Sequence, residues 1–241
     1  MTVTKPTTPV WHGSSNYKLY LPCHEGSGVT ANDYAGGDLD GTLTPTASWQ
    51  TQAEGAVIRC GVSGRYVTLG DPAALRFSGA FSLVWYGYLT SSGALSSALI
   101  GKFGPANQRA CGMQLYSEAV YLSWSTDGVN LYQQPGAITR SNPSPDLIVG
   151  TFEPSVALRL YQNNGTLLLN KTDGVPAAFF NANGLPWNVM TRGDANTMTP
   201  GDVSMVAMLD KALSLAEVQA IYADPWAVVR GNRRRGLLCG G

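Results

Sequence analysis

Tyr17-Lys18-Leu19-Tyr20-Leu21, followed by Glu25-Gly26-Ser27-Gly28, Asp33, Gly36-Gly37, Gly41-Thr42 and Trp49, is the stretch whose reading decides the fold. The first five residues read as a strand, and the residues after them as a tightly turning loop. Its glycines take positive φ freely and its short acidic residues bond their own backbone, so the loop is expected to fold on itself without helix or sheet.

Beyond this opening, runs rich in Val, Tyr, Phe, Trp and Thr recur between clusters of Gly, Asn, Asp and Pro, the spacing of many short strands in an all-β chain. Strands are expected at 17–21, 56–60, 66–69, 81–89, 98–103, 112–116, 120–125, 147–152, 156–162, 166–170, 187–191 and 202–209. In Phe81-Ser82-Leu83-Val84-Trp85-Tyr86-Gly87-Tyr88-Leu89 both alternating faces are apolar, which marks a central strand. Asn163-Asn164-Gly165 predicts a hairpin with a tight primed turn, and Thr126-Asp127-Gly128 predicts another. One helix is expected. Ser214-Leu215-Ala216-Glu217 matches the capping box, Leu213 and Val218 flank it as a hydrophobic staple, and Pro225 stops it near Asp224. Val218, Ile221 and Tyr222 share its apolar face, expected to pack on the edge of the sandwich or close one end.

These segments resemble the laminin-G-like domains of the concanavalin A-like lectin and glucanase superfamily. The resemblance rests on the opening strand and loop, on Leu147-Ile148-Val149-Gly150-Thr151-Phe152 with Ala157-Leu158-Arg159-Leu160-Tyr161 and the Asn-Gly turn, and on Gly201 to Leu209 leading into Ser214 and Glu217. It implies an antiparallel two-sheet jelly-roll sandwich with one short C-terminal helix. Members that hold a structural calcium commonly carry an Asp-Glu pair in the closing strand, where this chain has Ser204-Met205. Asp33, Asp38 and Asp40 are the remaining candidate oxygen ligands, against a reading as solvated turn formers.

At 241 residues, one sandwich is expected at 17–229, preceded by an extended Thr- and Pro-rich arm at 1–16 and followed by a basic then apolar tail at 230–241. Formal net charge is zero and charged residues make up 13% of the chain, so no global field gathers nucleic acid or anionic lipid. The first residues lack the order of a secretory signal, and no apolar run is long enough to span a bilayer. Cys23, Cys60, Cys111 and Cys239 lie far apart and are read as reduced thiols, with Cys23 and Cys60 buried, Cys239 exposed, and neither a zinc site nor a redox dithiol.

Hydrolysis of a glycosidic bond needs two carboxylates about 5 to 9 Å apart, which on a strand appear at alternate positions. The only such pair, Asp38 and Asp40, falls in the first loop; Glu118, Glu153 and Asp202 stand alone. His12 and His24 accompany no nucleophile elbow, and no phosphate-binding loop is present. Binding readings survive. Tyr121, Trp124, Tyr132 and Trp187 offer flat apolar platforms for sugar rings, with Asp127, Asn130 and Asn188 as oriented polar contacts; the competing reading places strand aromatics in the core. In the tail, Arg233, Arg234 and Arg235 would meet carboxylates of a neighbouring subunit while Leu237 and Leu238 fill a groove.

Tyr222-Ala223-Asp224-Pro225-Trp226 after the helix resembles the ending of phage-encoded members of the superfamily. The expectation is therefore a non-enzymatic virion protein that decorates or joins parts of a particle, self-associating and contacting other virion proteins through its ends, with neither nucleic acid nor membrane as partner. The alternative is a glycan-binding module of a tail or fibre that recognises a cell surface. A glycoside hydrolase comes third.

Overall fold

The computed structural model describes residues 16–60, 64–90, 97–104, 108–141, 143–180, 184–192 and 201–227. The expected arm, apart from Asn16, and the tail with Arg233, Arg234, Arg235, Leu237, Leu238 and Cys239 lie outside them, as does His12. In chain order the strands are β1 (Tyr17–Leu21), β2 (Thr30–Ala31), β3 (Gly41–Leu43), β4 (Ser48–Gln52), β5 (Gly55–Cys60), β6 (Val67–Gly70), β7 (Phe81–Leu89), β8 (Ser97–Phe103), β9 (Arg109–Tyr116), β10 (Ala119–Trp124), β11 (Tyr132–Ala137), β12 (Asp146–Glu153), β13 (Ala157–Gln162), β14 (Thr166–Lys171), β15 (Trp187–Val189) and β16 (Gly201–Leu209). The helix α1 is Leu215–Ala223.

Two antiparallel sheets result. Sheet A runs β14-β13-β12-β7-β16-β5-β4, and sheet B runs β11-β10-β9-β8-β15-β6-β3-β2. β16 pairs with β7 along its whole length, while its other edge is shared by β5 at Gly201 to Val203 and β1 at Val206 to Leu209. The register shift between Val203 and Met205 lies where one partner gives way to the other.

Alternation along the strands assigns the faces. Phe81, Leu83 and Trp85 of β7 and Ile148 and Phe152 of β12 meet Ile100, Met113 and Leu122 of sheet B in the main core. The layers touch closely. At Gly150 a Cβ would lie 2.7 Å from Leu122 Cδ2 and 3.0 Å from Met113 Sδ, so only glycine lets the sheets approach there. The rings of Phe77, Phe81 and Phe152 form a stack with centroid spacings of 4.8 and 4.5 Å.

The second apolar face of β7, expected from its sequence, is the outer surface of sheet A. Val84 and Tyr86 join Leu147, Val149, Met205, Ala207, Leu213, Val218 and Trp226 there. α1 thus lies across the sheet rather than on an edge or end, because outward-pointing apolar side chains of β7, β12 and β16 need a cover. Its capping box is formed: Ser214 Oγ accepts from the Glu217 N–H, and a Glu217 carboxylate oxygen accepts from the Ser214 N–H at 3.0 Å.

Three local expectations change. The first loop contributes β2 and β3 to the far edge of sheet B, since Ala31 and Leu43 alternate inward on short segments that carry the chain across from sheet A. The turn 163–165 is not a two-residue primed turn. Gln162 pairs with Thr166, and Asn163 rather than Asn164 takes the positive φ, at 50°, before Gly165 at 82°. β4 and β11 escaped the sequence reading; both are edge strands, and in β11, with Gln133, Gln134 and Pro135, a proline's missing donor does no damage.

Asp33 organises the first loop. It is fully buried, and its two carboxylate oxygens accept from four backbone N–H groups: Tyr20 at 3.0 Å and Ala35 at 2.9 Å on one, Gly37 and Leu39 at 3.2 Å on the other. Asp40 Oδ1 in turn accepts from the Asp33 N–H at 2.7 Å. Asp33 and Asp40 are thus used as turn formers, and Asp38 takes a left-handed φ of 51°. Among the described residues no group of three or more His, Cys, Asp or Glu is arranged to hold a metal.

Candidate functional site

The outward side chains of sheet B differ in kind from those of sheet A. Cross-strand partners share a face, so one transverse row can be followed through all eight strands: Thr30, Thr42, Thr68, Asn188, Gly101, Gly112, Ser123 and Gln133. A neighbouring row holds Ala98, Gln114, Tyr121 and Pro135. Neither row contains a carboxylate or a bulky aliphatic side chain, and the intervening Met113 and Leu122 point inward.

Several of these polar groups are tied together. Gln133 Nε2 donates to Gln114 Oε1 at 3.1 Å and to Ser123 Oγ at 3.3 Å, fixing both amides over the sheet. Tyr116, 48% exposed, meets Tyr121 edge to face at 6.3 Å and gives this end an aromatic wall. Near the middle, the Phe103 ring lies over Gly101 and Gly112, in the space where Cβ atoms would come within 2.2 and 2.7 Å of it. The guanidinium carbon of Arg192 sits over that ring, 5.9 Å from its centroid. Asn188 is only 3% exposed, and its side-chain amide makes no hydrogen bond with the described residues. Gln114, Ser123 and Phe103 are fully buried, so the middle of this face is covered, and its rows reach solvent chiefly at Thr30 and Thr42 on one edge and at Gln133, Pro135 and Tyr116 on the other.

The expected sugar platform divides between opposite sides of the sheet. Tyr121 and Asn188 face outward, but Trp124 is 4% exposed in the main core and Trp187 is 1% exposed, donating from Nε1 to the Leu75 carbonyl at 3.1 Å. Both tryptophans are structural: alternation sends Trp124, three positions from Tyr121, to the other face, and does the same to Trp187 beside Asn188. Tyr132 stacks on Trp124 at the sandwich rim, 5.9 Å between centroids. Asp127 and Asn130 form a self-contained turn. Asp127 Oδ1 accepts from the Val129 and Asn130 N–H groups at 2.8 Å, and the Asn130 amide donates to Oδ2 at 2.7 Å. These bonds hold the Asp127 carboxyl at about 2. Phe103, Gln114, Gln133 and Arg192 were missed, although the alternation of Gln114 with Met113 and Leu115 was a readable signal.

A cavity of about 200 Å³ lies on the opposite side of the molecule, between α1 and sheet A, lined by Tyr20, Val84, Met205, Leu209 and Ile221. The Lys211 ammonium at its rim is paired with Glu217. The buried acids elsewhere are also satisfied: Asp146 accepts from Ser141, Gln162 and Asn163, and Asp202 from Arg59 and Gln52.

No family model and no curated protein matches the sequence. Solved structures do match the fold. The binding domain of Paraclostridial Mosquitocidal Protein 1 superposes with a TM-score of 0.70 at 13% identity, covering 88% of this chain and 52% of that one. Domain 4 of the GH43 extracellular arabinanase AbnA from Geobacillus stearothermophilus, in complex with arabinotriose, gives 0.65 at 13% identity, covering 86% and 98%. The Trypanosoma rangeli sialidase in complex with the inhibitor DANA gives 0.59 at 15% identity, covering 87% of this chain and 33% of that chain. The chain thus spans about half the length of the mosquitocidal binding domain. The fold is the jelly-roll sandwich anticipated from the sequence.

Proposed function

We propose that this domain is a carbohydrate-binding recognition module that holds a glycan on the outer face of sheet B without cleaving it. The observation that carries the reading is the acid-free pair of transverse rows of amides and hydroxyls, reaching solvent at Gln133 beside the Tyr116 and Tyr121 rings and continuing inward to the nearly buried Asn188 amide. A few oriented polar groups beside an aromatic wall are what a sugar ring requires. The arabinotriose complex of a domain with this fold supports it. Non-cleavage rests on chemistry: the two rows hold no carboxylate, whereas acid and base must flank the scissile bond.

The test is a glycan array followed by titration calorimetry of hits against Asn188→Ala and Tyr121→Ala. Both variants are expected to fold and to lose binding; full retention in both would remove sheet B from the reading. The virion role expected first from the sequence rests on chain ends outside the described residues, which leaves the binding role the better supported. Detection of the chain in purified particles would add that setting.

A further inference from the structure

We infer that the glycan taken by this face carries a carboxylate, as a sialic or uronic acid does, and that Arg192 receives it; this rests on the glycan-binding reading above. Arg192 is half-buried, and its Nε has neither solvent contact nor a hydrogen-bond partner. No ion pair engages its guanidinium among the described residues; Arg65 and Arg109 likewise show no carboxylate partner there, and what sets Arg192 apart is its place over the Phe103 ring beside Gly101. A desolvated guanidinium nitrogen without an acceptor is unfavourable unless something else supplies one.

Its setting indicates what that acceptor is. The cation lies over the Phe103 ring, which orients it, and that ring is seated on Gly101, the residue directly across from Asn188. A cation and the Asn188 amide therefore share one neighbourhood, around a ring that is itself fully buried, on a face whose rows hold no acid. A guanidinium presents paired N–H donors that match the two oxygens of a carboxylate, and the Asn188 amide suits a hydroxyl or N-acyl group on the same ring. A neutral sugar would leave the Arg192 donors unused.

The experiment compares matched glycans by calorimetry: sialyllactose against lactose, and oligoglucuronate against a neutral glucose oligomer, at two salt concentrations. Wild-type protein is expected to bind at least one acidic member about tenfold or more tightly than its neutral partner, weakening with salt, given the strength of charge-assisted hydrogen bonds. Arg192→Gln is expected to abolish the preference and Arg192→Lys to retain part of it, with melting temperature confirming that both fold. Equal binding of acidic and neutral members, unaffected by Arg192→Gln, overturns the carboxylate assignment and leaves glycan binding standing. Absence of binding to all four probes and to a full array overturns both.

Discussion

Replacing Asp33 tests whether a single carboxylate shapes the first loop. Its four backbone donors differ in what they lose. The Tyr20 N–H lies in a buried strand with no water to turn to, and that of Ala35 is half-buried, whereas Gly37 is exposed and re-solvates readily. Hydrogen bonds to a charged group contribute about 1.5–3 kcal/mol each, and two that water cannot replace give about 3–6 kcal/mol for Asp33→Ala. For a domain of this size that lowers the melting temperature by about 6–24 °C. Asp33→Asn keeps one acceptor oxygen but turns an NH2 group towards two N–H donors, and it is expected to fall roughly midway between wild type and Asp33→Ala. Urea and thermal unfolding followed by tryptophan fluorescence read both variants, with EDTA and added calcium as parallel conditions. A loss below about 1 kcal/mol in Asp33→Ala would refute the reasoning, being smaller than one such bond. So would a wild-type melting temperature that falls in EDTA, because the loop would then owe its shape to a cation.

Other expectations rest on single contacts. Gly150→Ala places a methyl group 2.7 Å from Leu122 and is expected to destabilise by about 1–3 kcal/mol in chemical denaturation, as overpacking does. Trp187→Ala should lower stability by about 3–5 kcal/mol, with any remaining folded protein retaining its glycan affinity, since this side chain belongs to the core. Burial raises the Asp71 carboxyl, but hydrogen bonds from Arg76, Lys102 and the Gly184 N–H outweigh it and hold the group at about 2. Its contribution is therefore present above the ordinary carboxylate range and lost as pH falls from about 4 through 2, so Asp71→Asn should flatten that part of the acid-unfolding curve. The same variant leaves the fully buried Lys102 ammonium, now 2.6 Å from Asp71, without its carboxylate, and is expected to be destabilised at neutral pH by about 3–5 kcal/mol. The thiols of Cys23, Cys60 and Cys111 are buried, and burial raises all three, Cys111 to about 12. Mass spectrometry after thiol labelling at pH 8 should find them unmodified in the native protein and modified in denaturant.

The architecture was legible because it is written in short-range signals. Both faces of Phe81 to Leu89 are apolar, and both proved covered, one by sheet B and one by α1. What failed was the assignment of cover to edge or face, since α1 shows its own apolar side but not the sheet that receives it. The short strands β2 and β3 were hidden because glycine and aspartate carry turn signals, whereas their pairing is with residues far away in sequence. Aromatic residues misled the site reading most. Trp124 and Trp187 have the residue type of a sugar platform, but period-two alternation already separates Trp124 from Tyr121. Arg192 carries no local signal; its openness comes from what the fold leaves out of its surroundings.

The Tyr20 hydroxyl donates to the Pro225 carbonyl at 2.6 Å, joining residues 205 positions apart, and Lys18 pairs with Asp210 at 2.8 Å. The first and last described segments are thereby clasped together on the α1 side, on the opposite layer from the outer face of sheet B. Each segment is thus pinned by the other, so the two open as one unit rather than fray separately.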